Sequence, residues 1–178
     1  TRPSHLFGEP HETPRGALSM LAEEVVRIEG PVHVCEVVNR IRDAWGLKRA
    51  GGRIQDAVEA AIAVSAREGR ITDDQDFLDV PGRTPKVRDR SAVRSASLRK
   101  FDTLPPAELD IAILDVVRIN YGATDDQVMQ SAARAVGFKS TSSQLRELLA
   151  DVIATAVKRG RLTRQSGMLV LGPDAPAV

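Results

Sequence analysis

The chain has 178 residues, 42% of them hydrophobic but only 3% aromatic, and a formal net charge of +1. That is enough apolar material for one large core or two small ones built from Leu, Ile, Val and Ala, and too little net charge for the whole chain to act as a polycation. A single cysteine, Cys35, excludes an internal disulfide and fits a reducing, cytoplasmic setting, and no apolar run is long enough to span a membrane.

No signal-like segment opens the chain, and Thr1 in place of Met predicts a processed chain or a piece of a longer one. The first dozen residues read as weakly ordered. A first helix is expected from Thr13, with Pro14 at its first position, where the missing N–H costs nothing, and a stripe of Leu18, Leu21, Val25 and Ile28. A second helix from near His33 carries Val37, Val38 and Ile41 and stops at Gly46. The third and longest turns Ile54, Val58, Ala61, Ile62 and Ser65 inward and ends at Gly69. Arg70-Ile71-Thr72, then Asp73-Asp74-Gln75-Asp76, then Phe77 to Val80 read as strand, turn and strand. Residues 81–104 contain Pro81-Gly82, Pro85 and the basic run Arg83, Lys86, Arg88, Arg90, Arg94, Arg99 and Lys100, and read as a linker.

After Pro105-Pro106 the pattern begins again. A helix carries Ile111, Ile113, Leu114 and Val117. The next starts at Thr124, which with Gln127 predicts a capping box, while Asp125 and Asp126 suit the positive end of the helix dipole. It carries Val128, Met129 and Ala132 and ends at Gly137. A third helix, with Thr141 and Gln144 as its expected box, buries Leu145, Leu148, Leu149, Val152, Ile153 and Ala156 and ends at Gly160. Arg161-Leu162-Thr163 and Met168 to Leu171 flank a turn, and the tail from Gly172 to Pro176 reads as weakly ordered.

The recurrence is a repeat with a fixed offset. Val25-Val26-Arg27-Ile28 returns 91 residues later as Val116-Val117-Arg118-Ile119, and the same offset aligns Ala44 with Ala135, Gly46 with Gly137, Lys48 with Lys139, Ile62-Ala63 with Ile153-Ala154, and Gly69-Arg70 with Gly160-Arg161. The matches fall on turn glycines and apolar positions, where a shared fold constrains sequence. The expected class is mainly α with small β-hairpin wings: two tandem winged helix-turn-helix-like domains, 13–80 and 105–172, joined by the basic linker 81–104. An unspecific α+β bundle is the alternative.

No enzyme is expected in this chain. Gly137-Phe138-Lys139-Ser140-Thr141 has the look of a phosphate loop, but the Gly-Lys pair is broken and the upstream glycine is missing. His5, His11 and His33 do not make a metal set with Cys35, and no nucleophile stands with a base; no cofactor and no small-molecule substrate is expected. The acids Asp73, Asp74 and Asp76 read as a solvated turn. A helix-turn-helix puts the start of its last helix into the major groove and its wing along the backbone. In the second unit those places hold Lys139, Ser140, Thr141, Ser143, Gln144, Arg146, Arg161 and Arg164; in the first they hold Lys48, Arg49 and Arg53 beside Gly51-Gly52. With Arg88 and Arg90 of the linker, these are the candidate nucleic-acid-binding residues. The acidic wing of the first unit would repel a duplex, so the second unit and the linker are the expected binders and the first is left to packing or a protein contact.

The stretch Ile28-Glu29-Gly30-Pro31-Val32-His33, the run from Arg40 to Ile54 containing Gly46-Leu47-Lys48-Arg49-Ala50-Gly51, the motif Val87-Arg88-Asp89-Arg90-Ser91 and the later Gly137-Phe138-Lys139 together resemble a bacterial domain of unknown function. The resemblance covers most of residues 20–171. That domain lies at the C-terminus of very large superfamily-one helicase-like proteins, often beside a Vsr-type nuclease domain, in anti-phage or DNA-processing machines. The resemblance implies an accessory module that partners DNA and the helicase or nuclease body of the same polypeptide. It transfers no catalytic residue. A protein-docking role without DNA contact is the alternative.

Overall fold

The computed structural model describes residues 8–93 and 97–176; His5 and Arg94 lie outside the described residues. The chain divides into two compact units, residues 1–84 and 85–178. Each is mainly helical with a small antiparallel hairpin.

In the first unit a 3-10 turn at Pro10–Glu12 leads into α1 (Arg15–Glu29), followed by β1 (Val32–His33), α2 (Val34–Ala44), α3 (Gly52–Arg67), β2 (Thr72–Asp74) and β3 (Phe77–Asp79). Helix α1 begins one residue after Pro14, which is its N-cap. Its buried stripe is Leu18, Ala22 and Val26, and Ile28, expected inside, is 64% exposed. The spacing of four keeps one face inward, and Ala22 rather than Leu21 lets α1 approach α3 closely. There Ser19 Oγ donates to the Ala61 carbonyl at 3.0 Å, which satisfies a fully buried hydroxyl. Helix α3 turns inward the five residues its sequence pattern names, Ile54, Val58, Ala61, Ile62 and Ser65.

The strand order of the first unit is β1-β3-β2, all antiparallel, with Val32 opposite Leu78 and Thr72 opposite Asp79. At the hairpin tip Gln75 and Asp76 both take positive φ. Trp45, 5% exposed, closes the core beside Ile41, and its Nε1 donates to the Gly8 carbonyl at 2.7 Å.

The second unit holds α4 (Pro106–Ile119), α5 (Asp125–Ala135), α6 (Ser143–Lys158), β4 (Leu162–Gln165) and β5 (Met168–Leu171), after 3-10 turns at Ser97–Arg99 and Phe101–Thr103. The offset of 91 found in the sequence also relates the elements. It carries the turn at Pro10–Glu12 onto Phe101–Thr103, α2 onto α5 and α3 onto α6 with both ends in step. It carries the Val32–Leu78 pair onto the bridge between Ala123 and Leu169. Glycines at positive φ end the helices at Gly46 and Gly137, and again at Gly69 and Gly160. The core of this unit gathers Leu109, Ile113, Leu114, Val117, Val128, Leu145, Leu149, Ile153, Leu162 and Leu169.

Of two expected helix caps, one shifts and one forms. The cap of α6 is Ser142, whose Oγ accepts from Leu145 N–H at 3.3 Å, rather than Thr141 with Gln144. The box at Thr124 and Gln127 forms as the spacing predicts.

The larger difference concerns the segment read as a linker. Residues 85–104 are part of the second unit. Leu104 is 1% exposed, and the Arg90 backbone N–H donates to the Val136 carbonyl at 3.2 Å. The cause is a buried carboxylate. Glu108, 1% exposed in α4, takes Arg88 Nε at 2.6 Å and Arg90 Nη1 at 2.9 Å. Burying a carboxylate at that depth is costly unless well-placed cations and hydrogen bonds reach it. Gly137 allows the close approach, since a Cβ there would lie 2.6 Å from the Arg90 nitrogen. Two motifs distant in sequence, Val87 to Ser91 and Gly137-Phe138-Lys139, thus meet in one place. Among the described residues no helix is long and apolar enough to cross a membrane.

Candidate nucleic-acid interface

The turn from Gly137 to Ser142 carries the chain from α5 to α6, and its polarity follows from its place. Val136 and Leu145 anchor it in the core at either end, and Lys139, Ser140, Ser142, Ser143, Gln144 and Arg146 are exposed. The side chain of Ser142 satisfies one N–H of the first turn, and the rest of the helix start faces outward with its positive dipole end. Beside it lies a groove of about 400 Å³ lined by Asp126, Gln127, Gln130, Lys139, Ser140, Thr141 and Arg146.

Two carboxylates from the start of α5 temper this surface. Arg146 Nη1 meets Asp126 at 2.5 Å, and Arg164 of β4 grips both oxygens of Asp125, at 2.6 and 2.8 Å. The hydrogen bond from Arg164 holds the Asp125 carboxyl below the usual range against the pull of partial burial. All four side chains are partly or well exposed, so water screens the pairs and each contributes at most about 1 kcal/mol. The arginines are therefore pre-positioned and releasable to a stronger anion. Arg161 is held more firmly: it pairs with Asp110, whose carboxyl is pushed up by burial against the opposing pull of Arg161 and Arg159.

Arg88 and Arg90, counted from sequence among the candidate binders, are spent on Glu108. Arg90 is 5% exposed, so its guanidinium faces the interior rather than a ligand. Arg88 keeps 38% of its side chain exposed beside the same carboxylate.

In the first unit, Lys48, Arg49 and Arg53 are exposed around the start of α3. Among the described residues none of the three is in an ion pair. Apart from the adjoining residues and the helix's own backbone, nothing lies within 4 Å of where a Cβ would stand at Gly51 or Gly52, so this helix start is sterically open. A wider groove of about 720 Å³ opens here, with Arg42, Lys48 and Arg49 from α2 and the following turn, Asn39 and Gln55 as amides, and Glu59, Asp73 and Asp76 as carboxylates. His33 caps α2, its Nδ1 accepting from Cys35 N–H at 3.2 Å, and its ring meets Phe77 edge-on. Among the described residues no group of His, Cys, Asp or Glu could hold a metal ion.

Asn39, Arg42, Gln55 and Gln130 were not among the residues the sequence singled out. The constant offset would have found most of them, once the groove of either unit was known. The first unit holds 11 Lys and Arg against 14 Asp and Glu, and the second 14 against 10.

A family model described as a protein of unknown function (DUF3320) matches residues 8–56. The match runs from the 3-10 turn at Pro10 through α1 and α2 to the start of α3, and so includes the basic turn at Lys48 and Arg49. No curated protein matches the chain, and no solved structure matches it.

Proposed function

We propose that this chain is an accessory DNA-binding module, built from two winged-helix units, that positions a larger helicase- or nuclease-type polypeptide on nucleic acid. The observation that carries the reading is the exposed start of α6: Lys139, Ser140, Ser143, Gln144 and Arg146 stand together at a helix N-terminus, in the unit with the excess of cations. Hydroxyls and free N–H groups at such a terminus take phosphate oxygens, and Gln144 and Arg146 have the donors and acceptors to read base edges. Arg164 on the hairpin stands where a wing would follow the backbone. The larger parent rests on the resemblance of the basic turns and of Val87 to Ser91 to the helicase-associated domain, with the match to a family of unknown function beside it.

Charge reversal tests the interface. Lys139→Glu with Arg146→Glu is expected to weaken duplex binding by roughly tenfold or more at low salt and to flatten its salt dependence. Binding that is unchanged in a folded double variant would refute the assignment.

One observation favours a second reading, a docking module without DNA contact: the first unit carries more acid than base and exposes Met20 and Ile28 on α1. Co-purification of the chain with the separated helicase body, together with absence of DNA binding, is the outcome that reading requires.

A further inference from the structure

The two grooves are built from the same repeat positions. Of the residues lining the groove of the second unit, all but Gln127 stand 91 positions after a residue lining the groove of the first. Lys139 follows Lys48, Ser140 follows Arg49, Gln130 follows Asn39 and Arg146 follows Gln55. The first groove is the larger, about 720 Å³ against about 400 Å³, and its Lys48 and Arg49 are free of ion pairs among the described residues, whereas Arg146 is engaged by Asp126.

What distinguishes the first groove is its hairpin. Asp73 and Asp76 line it, where the hairpin of the second unit places none of its residues in the corresponding groove. A duplex brings two lines of phosphates, and the second would meet these carboxylates. A single strand brings one line, and its unpaired bases carry amino and ring N–H groups that carboxylates accept. Val34, Val38 and Ile62 give the groove apolar surface for sugars and base faces.

We propose that the groove of the first unit is a second nucleic-acid site, one that takes a single strand, with phosphates on Lys48 and Arg49 and base amino groups on Asp73 and Asp76. It rests on the nucleic-acid reading of the second unit and gives a ligand to the unit that charge alone would leave out.

Cys35 lines this groove and is the chain's one cysteine, so a small environment-sensitive fluorophore on its thiol reports this groove and not the other. The full chain so labelled is titrated with a mixed-sequence single-stranded oligonucleotide, a hairpin duplex and a mononucleotide. The label is expected to respond to the single strand and not to the duplex. Lys48→Glu with Arg49→Glu should raise the midpoint by about tenfold or more, and Lys139→Glu should leave it within about twofold. A mononucleotide that matches the strand would show a small-molecule pocket and overturn the proposal.

Oligonucleotide anisotropy with unlabelled protein controls for any effect of the dye. There Lys48→Glu with Arg49→Glu should weaken the single strand, and Asp73→Asn with Asp76→Asn should admit the duplex. A silent label, with oligonucleotide binding that only Lys139→Glu removes, would refute this site and leave the second unit's assignment standing. Loss of both signals would refute both.

Discussion

Glu108 shows how much one buried charge can organise. It draws Arg88 and Arg90 onto α4 and so folds a basic segment back onto its own unit. Glu108→Ala should cost about 3–5 kcal/mol in urea denaturation, because Arg90 would be left buried without its counter-charge. Gly137→Ala should also destabilise, by about 1–3 kcal/mol, since φ is +98° there and the new methyl would press on the backbone at Arg90. At the candidate interface the sign reverses. Asp125→Asn with Asp126→Asn frees Arg164 and Arg146 and is expected to tighten DNA binding in an anisotropy titration, while looser binding would mean that the arginines need these carboxylates to hold their place. Composition marks Arg88 and Arg90 as basic and no more. Their partner lies about twenty residues on in a helix, and whether a glutamate is buried is decided by packing that a single sequence does not display. Ile28 erred in the opposite direction: a stripe through Leu18, Leu21, Val25 and Ile28 is a sound helical face, but the contact with α3 selects the face of Leu18, Ala22 and Val26.

At the scale of elements, the repeat offset was the most legible feature. It located α2 and α5, α3 and α6, and both hairpins, because turn glycines and core positions are constrained by the fold itself. The cap of α6 moved from Thr141 to Ser142, since four consecutive hydroxyl residues, Ser140 to Ser143, leave the choice to the tertiary path of the turn. The segment before α4 gives a direct check. A piece beginning at residue 85 should fold, whereas one beginning at 105 leaves Glu108 without Arg88 and Arg90 and should be several kcal/mol less stable in the same denaturant, about 3–5 by the cost of orphaning a buried charge. Equal stability would restore a linker. Acid should loosen both units. Burial opposes ionisation of Glu23, but hydrogen bonds from Ser65 and Arg70 win and hold it below its usual range, as Arg164 does for Asp125. A carboxyl with a depressed folded pKa contributes fully above its unfolded value, near 4, and that contribution fades as pH falls through the folded value. Stability followed by circular dichroism should therefore decline below about pH 4.

Over the whole molecule, a near-neutral total conceals two units of opposite balance, 11 basic residues against 14 acidic in the first and 14 against 10 in the second. The net charge of +1 thus says little about either unit as a ligand surface. Phosphate contact is the central claim, and salt is its most direct probe. Fluorescence anisotropy of the full chain with labelled duplex DNA, across a series of salt concentrations, reads it in one experiment. Contacts by Lys139, Arg146 and Arg164 require log affinity to fall linearly with log salt, with a slope of about −2 to −3 for two or three neutralised phosphates. No binding at low salt by a folded protein, or binding indifferent to salt, would contradict the nucleic-acid role and leave protein docking as the function of the module.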